Sequence, residues 1–459
     1  MIFDEQPYSS YDSSEEKAQR AFELYEDGKI TQAISELNEA IEVNPANCSL
    51  HFNKALSLDS LSKFEDAIAE YEEALSLNPC DLEILNSMAV DYTRVGQYDL
   101  AVRTFEHIEE LDANFEPGYC NRIIAYTEMG LHEQAEQMFY LAQQINPDCA
   151  LCYYNIGNSL FAQGQYKKAI HCWMKTAELE PSHPQINYHI AQALWAEGET
   201  ERCKQHFLKE LRINPGDVDA IIDFGFFLLE RGEIESAKEK FHRALELRPD
   251  TAMALFYLGE ISLDSGDKAG AMKLYAQTLE REAMLAGPRY RLGQYAMELG
   301  EFDKAKTMLA SEIKLAGDNA DVLVSMASMF LIMAEKSDDK EKDDILDYAA
   351  HCLLRALDID SEDADAHYYL GLANVIKGRL EDAVEFFAHA MDINPQHVLA
   401  IRDSAAAYLA MRRPEEAKEI LERGTHAVGD HPQLRDMRSN VRRSQITQQM
   451  TDLFGRKKH

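Results

Sequence analysis

Proline is scarce, with 13 in 459 residues, which argues against a long disordered section. Long apolar runs are missing too. Nothing approaches the roughly 18 consecutive apolar residues that span a bilayer, so no membrane partner is expected. The opening stretch MIFDEQPYSSYDSSEE has neither a basic start nor a hydrophobic centre, so no secretory leader is expected. Eight cysteines scattered over this length make no disulfide framework, and a reducing cytoplasm is the simplest location. Basic residues are outnumbered, 46 Lys and Arg against 80 Asp and Glu, for a formal net charge of −34. A body so acidic repels nucleic acid and anionic membrane and favours basic partners. Absent as well are the glycine-rich phosphate loops, the HExxH zinc helix and the GxSxG nucleophile elbow. The chain therefore reads as non-catalytic and without a cofactor, its many glutamates forming solvated helix faces.

What the sequence does have is a period. The stretches NKALSLDSLSKFEDAIAEYEEALSLNP (53–79), YNIGNSLFAQGQYKKAIHCWMKTAELEP (154–181) and HYYLGLANVIKGRLEDAVEFFAHAMDINP (367–395) share one layout. Each has a small residue early, Gly or a stand-in midway, Ala five positions later, and a closing Pro. Pro147, Pro181, Pro215 and Pro249 follow one another at intervals of 34. Counted from Ser14, twelve units end near His431. Position 8 of the unit is Ala or Gly in every case but Ile123, and position 20 is Ala in every case but Cys203.

This pattern resembles the tetratricopeptide repeat, whose 34-residue unit is two antiparallel helices, A and B. The resemblance implies an all-α fold, a right-handed superhelical α-solenoid of about twelve helix-turn-helix repeats. Small residues let the paired backbones approach, while Tyr71, Phe105, Phe139, Trp173, Phe207 and Phe241 fill the layer between units. Gly supplies the turn and Pro stops helix B. Residues 1–13 read as a flexible acidic segment, 14–431 as the repeats, 432–453 as a capping helix and 454–459 as a basic tail. Leu434, Met437 and Val441 would cover the exposed end of the stack. An insert at about 334–345 in the tenth repeat reads as a lengthened, solvated turn between its helices.

The resemblance also says where to look for binding. The A helices line the concave face, and positions 2, 5, 6, 9 and 12 point inward. Position 6 supplies Asn53, Asn121 and Asn155, followed by His189, with Asn86 one place early in unit three and Asn158 nearby. The repeat superhelix of O-linked N-acetylglucosamine transferases, which this chain resembles without the catalytic domain, holds extended peptide by such an asparagine ladder. An amide both donates and accepts, so it can pair with a peptide unit whatever its side chains. Water or neighbouring helices are the other partners open to these asparagines. Positions 5, 9 and 12 of units five to nine collect Tyr154, Phe161, Tyr188, Trp195, Ile222, Phe226, Phe256, Leu263, Tyr290 and Met297. They read either as anchors for an apolar segment of a partner or as groups packed against one another. A clamp for an acidic tail is poorly supported, because the inward cations are few: Arg291 and Arg402.

The function expected is a protein–protein interaction scaffold or adaptor that holds an extended or helical segment, apolar or basic in character, in its groove. A structural subunit of a larger assembly and a regulatory substrate adaptor are the alternatives. From Pro432 onward seven Lys or Arg stand against two Asp, which leaves nucleic acid to this tail at most and homo-oligomerisation open.

Cys149 and Cys152 form a C-x-x-C pair, with His171 and Cys172 downstream, a combination that invites a zinc reading. The repeat frame puts the pair at the start of helix A and the other two in the middle of helix B, two helical turns or on the order of 10 Å away. Zinc ligands must lie about 2 Å from a shared centre. No metal site is expected from these four, and Cys152 reads as a small apolar residue.

Overall fold

The computed structural model describes residues 9–317 and 319–455, and every regular element among them is an α-helix. In A–B pairs these run α1 (Ser9–Glu26) and α2 (Ile30–Val43), α3 (Cys48–Asp59) and α4 (Phe64–Leu77), α5 (Leu82–Arg94) and α6 (Tyr98–Leu111). Next come α7 (Glu116–Glu128) and α8 (His132–Ile145), α9 (Ala150–Ala162) and α10 (Tyr166–Leu179), α11 (Ile186–Ala196) and α12 (Thr200–Ile213). The series continues with α13 (Val218–Glu230) and α14 (Ile234–Leu247), α15 (Ala252–Asp264) and α16 (Lys268–Arg281), α17 (Pro288–Leu299) and α18 (Phe302–Glu312). It ends with α19 (Ala320–Lys336) and α20 (Asp339–Ile359), α21 (Ala364–Ile376) and α22 (Leu380–Ile393), α23 (Val398–Ala410) and α24 (Pro414–Val428), and the single helix α25 (Pro432–Gly455).

Within a repeat helix A packs on helix B, and A helices of successive repeats also touch, as α5 does α7, α7 does α9 and α19 does α21. This is an α-solenoid. The chain divides into two compact units, Met1–Phe227 and Leu228–His459, and the division falls inside α13. The first unit has its core between paired helices, around Leu37 and Leu50 and then around Tyr71, Ile84, Phe105 and Ile108. The second has one cluster around Leu323, Phe330, Ile345 and Leu353 and another around Phe387, Ile401 and Leu421. Leu434 and Val441 of α25 are buried in that last cluster and Met437 packs against it, so the end of the stack is covered.

Three positions of the repeat account for most of the local structure. Position 15, the turn between A and B, is left-handed throughout the first unit: Gly28, Gly96, Gly130, Gly164 and Gly198 all have φ between 70° and 75°. Ser62 and Arg412 occupy the same position with φ of 57° and 60°, a region that disfavours a side chain. Ser62→Gly is expected to stabilise the protein by about 1 kcal/mol, the relieved strain outweighing the extra freedom of the unfolded chain. An unchanged or lower urea midpoint would contradict this. Position 8 faces position 24 of the same repeat. A Cβ added at Gly157 would lie 2.5 Å from the Trp173 ring, and one at Gly371 would lie 2.4 Å from Phe387. Position 34 caps the next helix A: side chains of Asn47, Asp81, Asn319 and Asp363 accept from backbone N–H groups of the first turn.

Two expectations are corrected. The insert in the tenth repeat is not a long turn. Only Ser337 and Asp338 separate α19 from α20, which run to 17 and 21 residues. Met333, Ala334, Ile345 and Leu346 are all buried, so apolar residues at helical spacing carry both helices through the insert. At the other end α1 starts at Ser9, inside the segment expected to be flexible; residues 1–8 and 456–459 lie outside the described residues.

Candidate functional site

On the A helices the side chain at position 5 of one repeat meets position 6 of the next, 35 residues on. In the first unit Asn121 Nδ2 donates to Asn86 Oδ1 at 3.1 Å, Tyr154 Oη lies 3.1 Å from His189 Nε2, and Tyr188 Oη donates to Asp223 Oδ2 at 2.8 Å. In the second, Tyr290 donates to Ser325 and Tyr368 to Asp403 at 2.9 and 2.8 Å. Burial holds the His189 imidazole below its ordinary pKa and so keeps it neutral, with a ring nitrogen able to accept a hydrogen bond from the Tyr154 hydroxyl.

This ladder uses the groups that were expected to hold peptide. Asn155 is 3% exposed and donates to the Cys120 carbonyl at 2.9 Å, so it is removed from the peptide-binding set. Asn158 Oδ1 accepts from Trp173 Nε1 at 3.2 Å. Asn86 and Asn121 are half-buried and bonded to each other, whereas Asn53 is exposed. Arg291 and Arg402, the inward cations, are paired with Glu260 and Asp403.

The aromatic stretch is corrected in degree. Tyr154, Phe161, Tyr188, Trp195 and Phe226 in the first unit are half-buried, as are Phe256 and Tyr290 in the second, and Ile222 is buried. Rings fill one another's flanks: Trp195 lies 5.5 Å from Phe226, Phe161 5.5 Å from Trp173, and Phe256 5.8 Å from Tyr275, between centroids. These tilted ring contacts consume much of the apolar area that a partner would need.

An open apolar concavity does exist, but at the start of the chain. Ala18, Phe22 and Tyr25 of α1 face Asn53 and Leu56 of α3 around a pocket of about 150 Å³, and Phe22 is 59% exposed. Phe22 and Tyr25 stand at positions 9 and 12, so the inward frame, applied to the first repeat as it was to the middle ones, would have found them.

The C-x-x-C pair has its neighbours one repeat upstream, where its sequence spacing gives no sign of them. His171 and Cys172 do not join it. Among the described residues, ligand-type atoms of Glu116, Cys120, Cys149 and Cys152 lie within 4.8 Å of one another. Glu116 and Cys120 are one turn apart on α7, while Cys149 is the N-cap of α9 and Cys152 lies in its first turn. Cys120 Sγ is 3.8 Å from Cys149 Sγ, Cys152 Sγ is 2.9 Å from Glu116 Oε1, and Cys149 Sγ accepts from Cys152 N at 3.2 Å. Hydrogen bonds from the Cys120 and Cys152 thiols pull the Cys149 pKa down. The bond to Cys149 pushes Cys120 up, hydrogen bonds to Cys120 and then Cys149 push Cys152 up, and burial raises Glu116.

Paired helices on a fixed repeat, with no strand among the described residues, define a helical-repeat interaction scaffold. The chain belongs to the tetratricopeptide repeat family. Models described as tetratricopeptide repeat match residues 19–80, 228–284 and 346–398, residues 150–183, and residues 374–441; one described as YpiA-like, C-terminal tetratricopeptide repeats matches 184–251. No match was found among curated proteins. Among solved structures, yeast Tom70 is similar at 14% identity and a TM-score of 0.45, over 90% of this chain and 100% of that one. A tetratricopeptide repeat protein from Parabacteroides merdae is 18% identical with a TM-score of 0.43, over 58% and 99% of the two chains. The hetero-tetramer Cut9–Hcn1 of the APC/C is 13% identical with a TM-score of 0.41, over 93% and 96%. No helix among the described residues is long and apolar enough to cross a membrane.

Proposed function

We propose that this protein is a non-catalytic scaffold that binds an extended, basic segment of a partner protein on its A-helix face, anchored by one apolar side chain between α1 and α3. The pocket around Phe22 carries this reading. It is concave and apolar, with room for one large side chain, and Asn53 beside it offers a donor and an acceptor to a passing peptide unit. The net charge of −34 favours basic residues on either side of the anchor and speeds their approach. A cytoplasmic setting belongs to the same proposal, in keeping with eight free cysteines.

Panning a random-peptide phage library on the full-length protein tests it. Enriched peptides should carry Lys or Arg around an aliphatic or aromatic residue, and their affinity should fall as salt rises. Phe22→Ala combined with Leu56→Ala should weaken them about tenfold or more, the loss of an anchoring pocket. Tyr140→Ala should change nothing. The reverse result would favour a structural subunit that docks through its B helices, for which there is a specific observation. Tyr140 of α8 is 59% exposed, beside a cavity of about 370 Å³ lined by Phe139, Leu160 and His171.

A further inference from the structure

We propose that Glu116, Cys120, Cys149 and Cys152 form a tetrahedral Zn²⁺ site that staples α7 to the N-terminus of α9. The spacing of the sulfurs is the first argument. A tetrahedron with Zn–S bonds of about 2.3 Å has S···S edges of about 3.8 Å, and Cys120 Sγ and Cys149 Sγ are 3.8 Å apart. All four ligand atoms lie within 4.8 Å of one another, so shifts of about 1 Å or less bring the set to tetrahedral spacing. The Glu116 carboxylate oxygen is 2.9 Å from Cys152 Sγ, and the S···O edge of such a tetrahedron is about 3.5 Å, so it withdraws by about 0.6 Å.

The chemistry of the donors is the second argument. Three thiolates and one carboxylate around Zn²⁺ leave a net charge of −2, the same as a four-cysteine structural site. Soft sulfur donors select zinc over magnesium or calcium. Supporting hydrogen bonds are already in place: the Cys152 N–H points at Cys149 Sγ, and Asn155 Nδ2 lies 3.8 Å from Cys120 Sγ. Such outer contacts hold thiolates in orientation for a metal. Cys120 and Cys152 are buried while Cys149 and Glu116 are half-buried, which shields the site yet leaves an entry path. At position 34, where Asn47, Asp81, Asn319 and Asp363 cap their helices through side-chain oxygens, Cys149 caps α9 through its sulfur, which can also bind metal.

The test uses full-length protein purified under reducing conditions. Elemental analysis should find about one zinc per chain. Replacement by Co²⁺ should give thiolate-to-cobalt charge transfer and the intense visible bands of tetrahedral cobalt. Alkylation of the native zinc form should spare Cys120, Cys149 and Cys152, and chelation should expose them. Cys120→Ser with Cys149→Ser should abolish the cobalt spectrum, while Cys172→Ser keeps it. The alkylation pattern of the parent protein decides the matter even if the double variant fails to fold. Fully reduced protein that gives no cobalt–thiolate bands would overturn the proposal. So would an unchanged spectrum in the double variant, or a Cys120–Cys149 disulfide in place of bound metal.

Discussion

Trp173→Ala should destabilise the protein by about 3–5 kcal/mol, the usual range for removing a fully buried aromatic side chain. Trp173 is 1% exposed in α10, and its Nε1 donates to the Tyr154 carbonyl and to Asn158 Oδ1 at 3.3 and 3.2 Å. The substitution leaves a cavity between helices A and B of the fifth repeat and two polar groups without their donor. In a repeat array each unit is supported only by its neighbours, so the loss stays local. Urea unfolding followed by circular dichroism should broaden or split, and hydrogen exchange should accelerate first in α9, α10 and α11. A single sharp transition with uniformly weakened protection would contradict this. Gly157→Ala supplies an independent check, since its Cβ would sit 2.5 Å from Trp173 Nε1. Overpacking of this kind costs about 1–3 kcal/mol, and the ring cannot retreat without giving up both hydrogen bonds. In the Trp173→Ala background the added methyl should cost nothing or help, a non-additivity that identifies the contact itself.

The second large effect is a dependence of stability on pH set by Asp91. This residue of α5 is 1% exposed, and its Oδ2 has no hydrogen-bond partner. Burial, then the charge of Asp59, push its pKa up to about 7, against the opposing pull of Arg94, whose Nη1 is 3.0 Å from Oδ1. The ordinary value is 3.8, so the folded state binds a proton that the unfolded chain releases. The stability from that proton is fully present below about pH 4 and is lost as pH rises through about 7. Urea midpoints measured from about pH 5 to about pH 8 should therefore fall in the parent. Asp91→Asn keeps the shape, supplies a permanent donor at Oδ2 and should flatten the profile, so the variant overtakes the parent at the alkaline end. A parent midpoint that rises over this range would refute the assignment.

Much of the fold was legible because the repeat is written in local terms. A left-handed turn at position 15, a small residue at position 8 beneath a bulky one at position 24, and a cap at position 34 each involve residues of one repeat or its immediate junction. Leu434 and Val441 were recognisable as the closing layer for the same reason. The insert misled because AEKSDDKEKDD is charged, and charge suggests a turn. Ile345 and Leu346, just beyond it, continue the buried face and hold α20 in place.

The candidate sites were less legible, and the missing information was the offset between neighbouring A helices. Asn155 resembles a ladder residue at position 6 until the structure brings Cys120 beside it, 35 residues earlier. His171 and Cys172 stand downstream of Cys149 and stay apart from it, whereas Glu116 and Cys120 stand upstream, one repeat back. By itself the sequence determined the period, the helix pairs, their turns and caps, and the acidity of the body, since each follows from residue type at a repeat position. Only the tertiary structure decided which side chains remain available. Stacking adjacent A helices side by side spends the middle asparagines and aromatics on one another, leaves Phe22 open and gathers three thiols with a carboxylate. Availability depends on neighbours some 35 residues away, a separation that no single repeat contains.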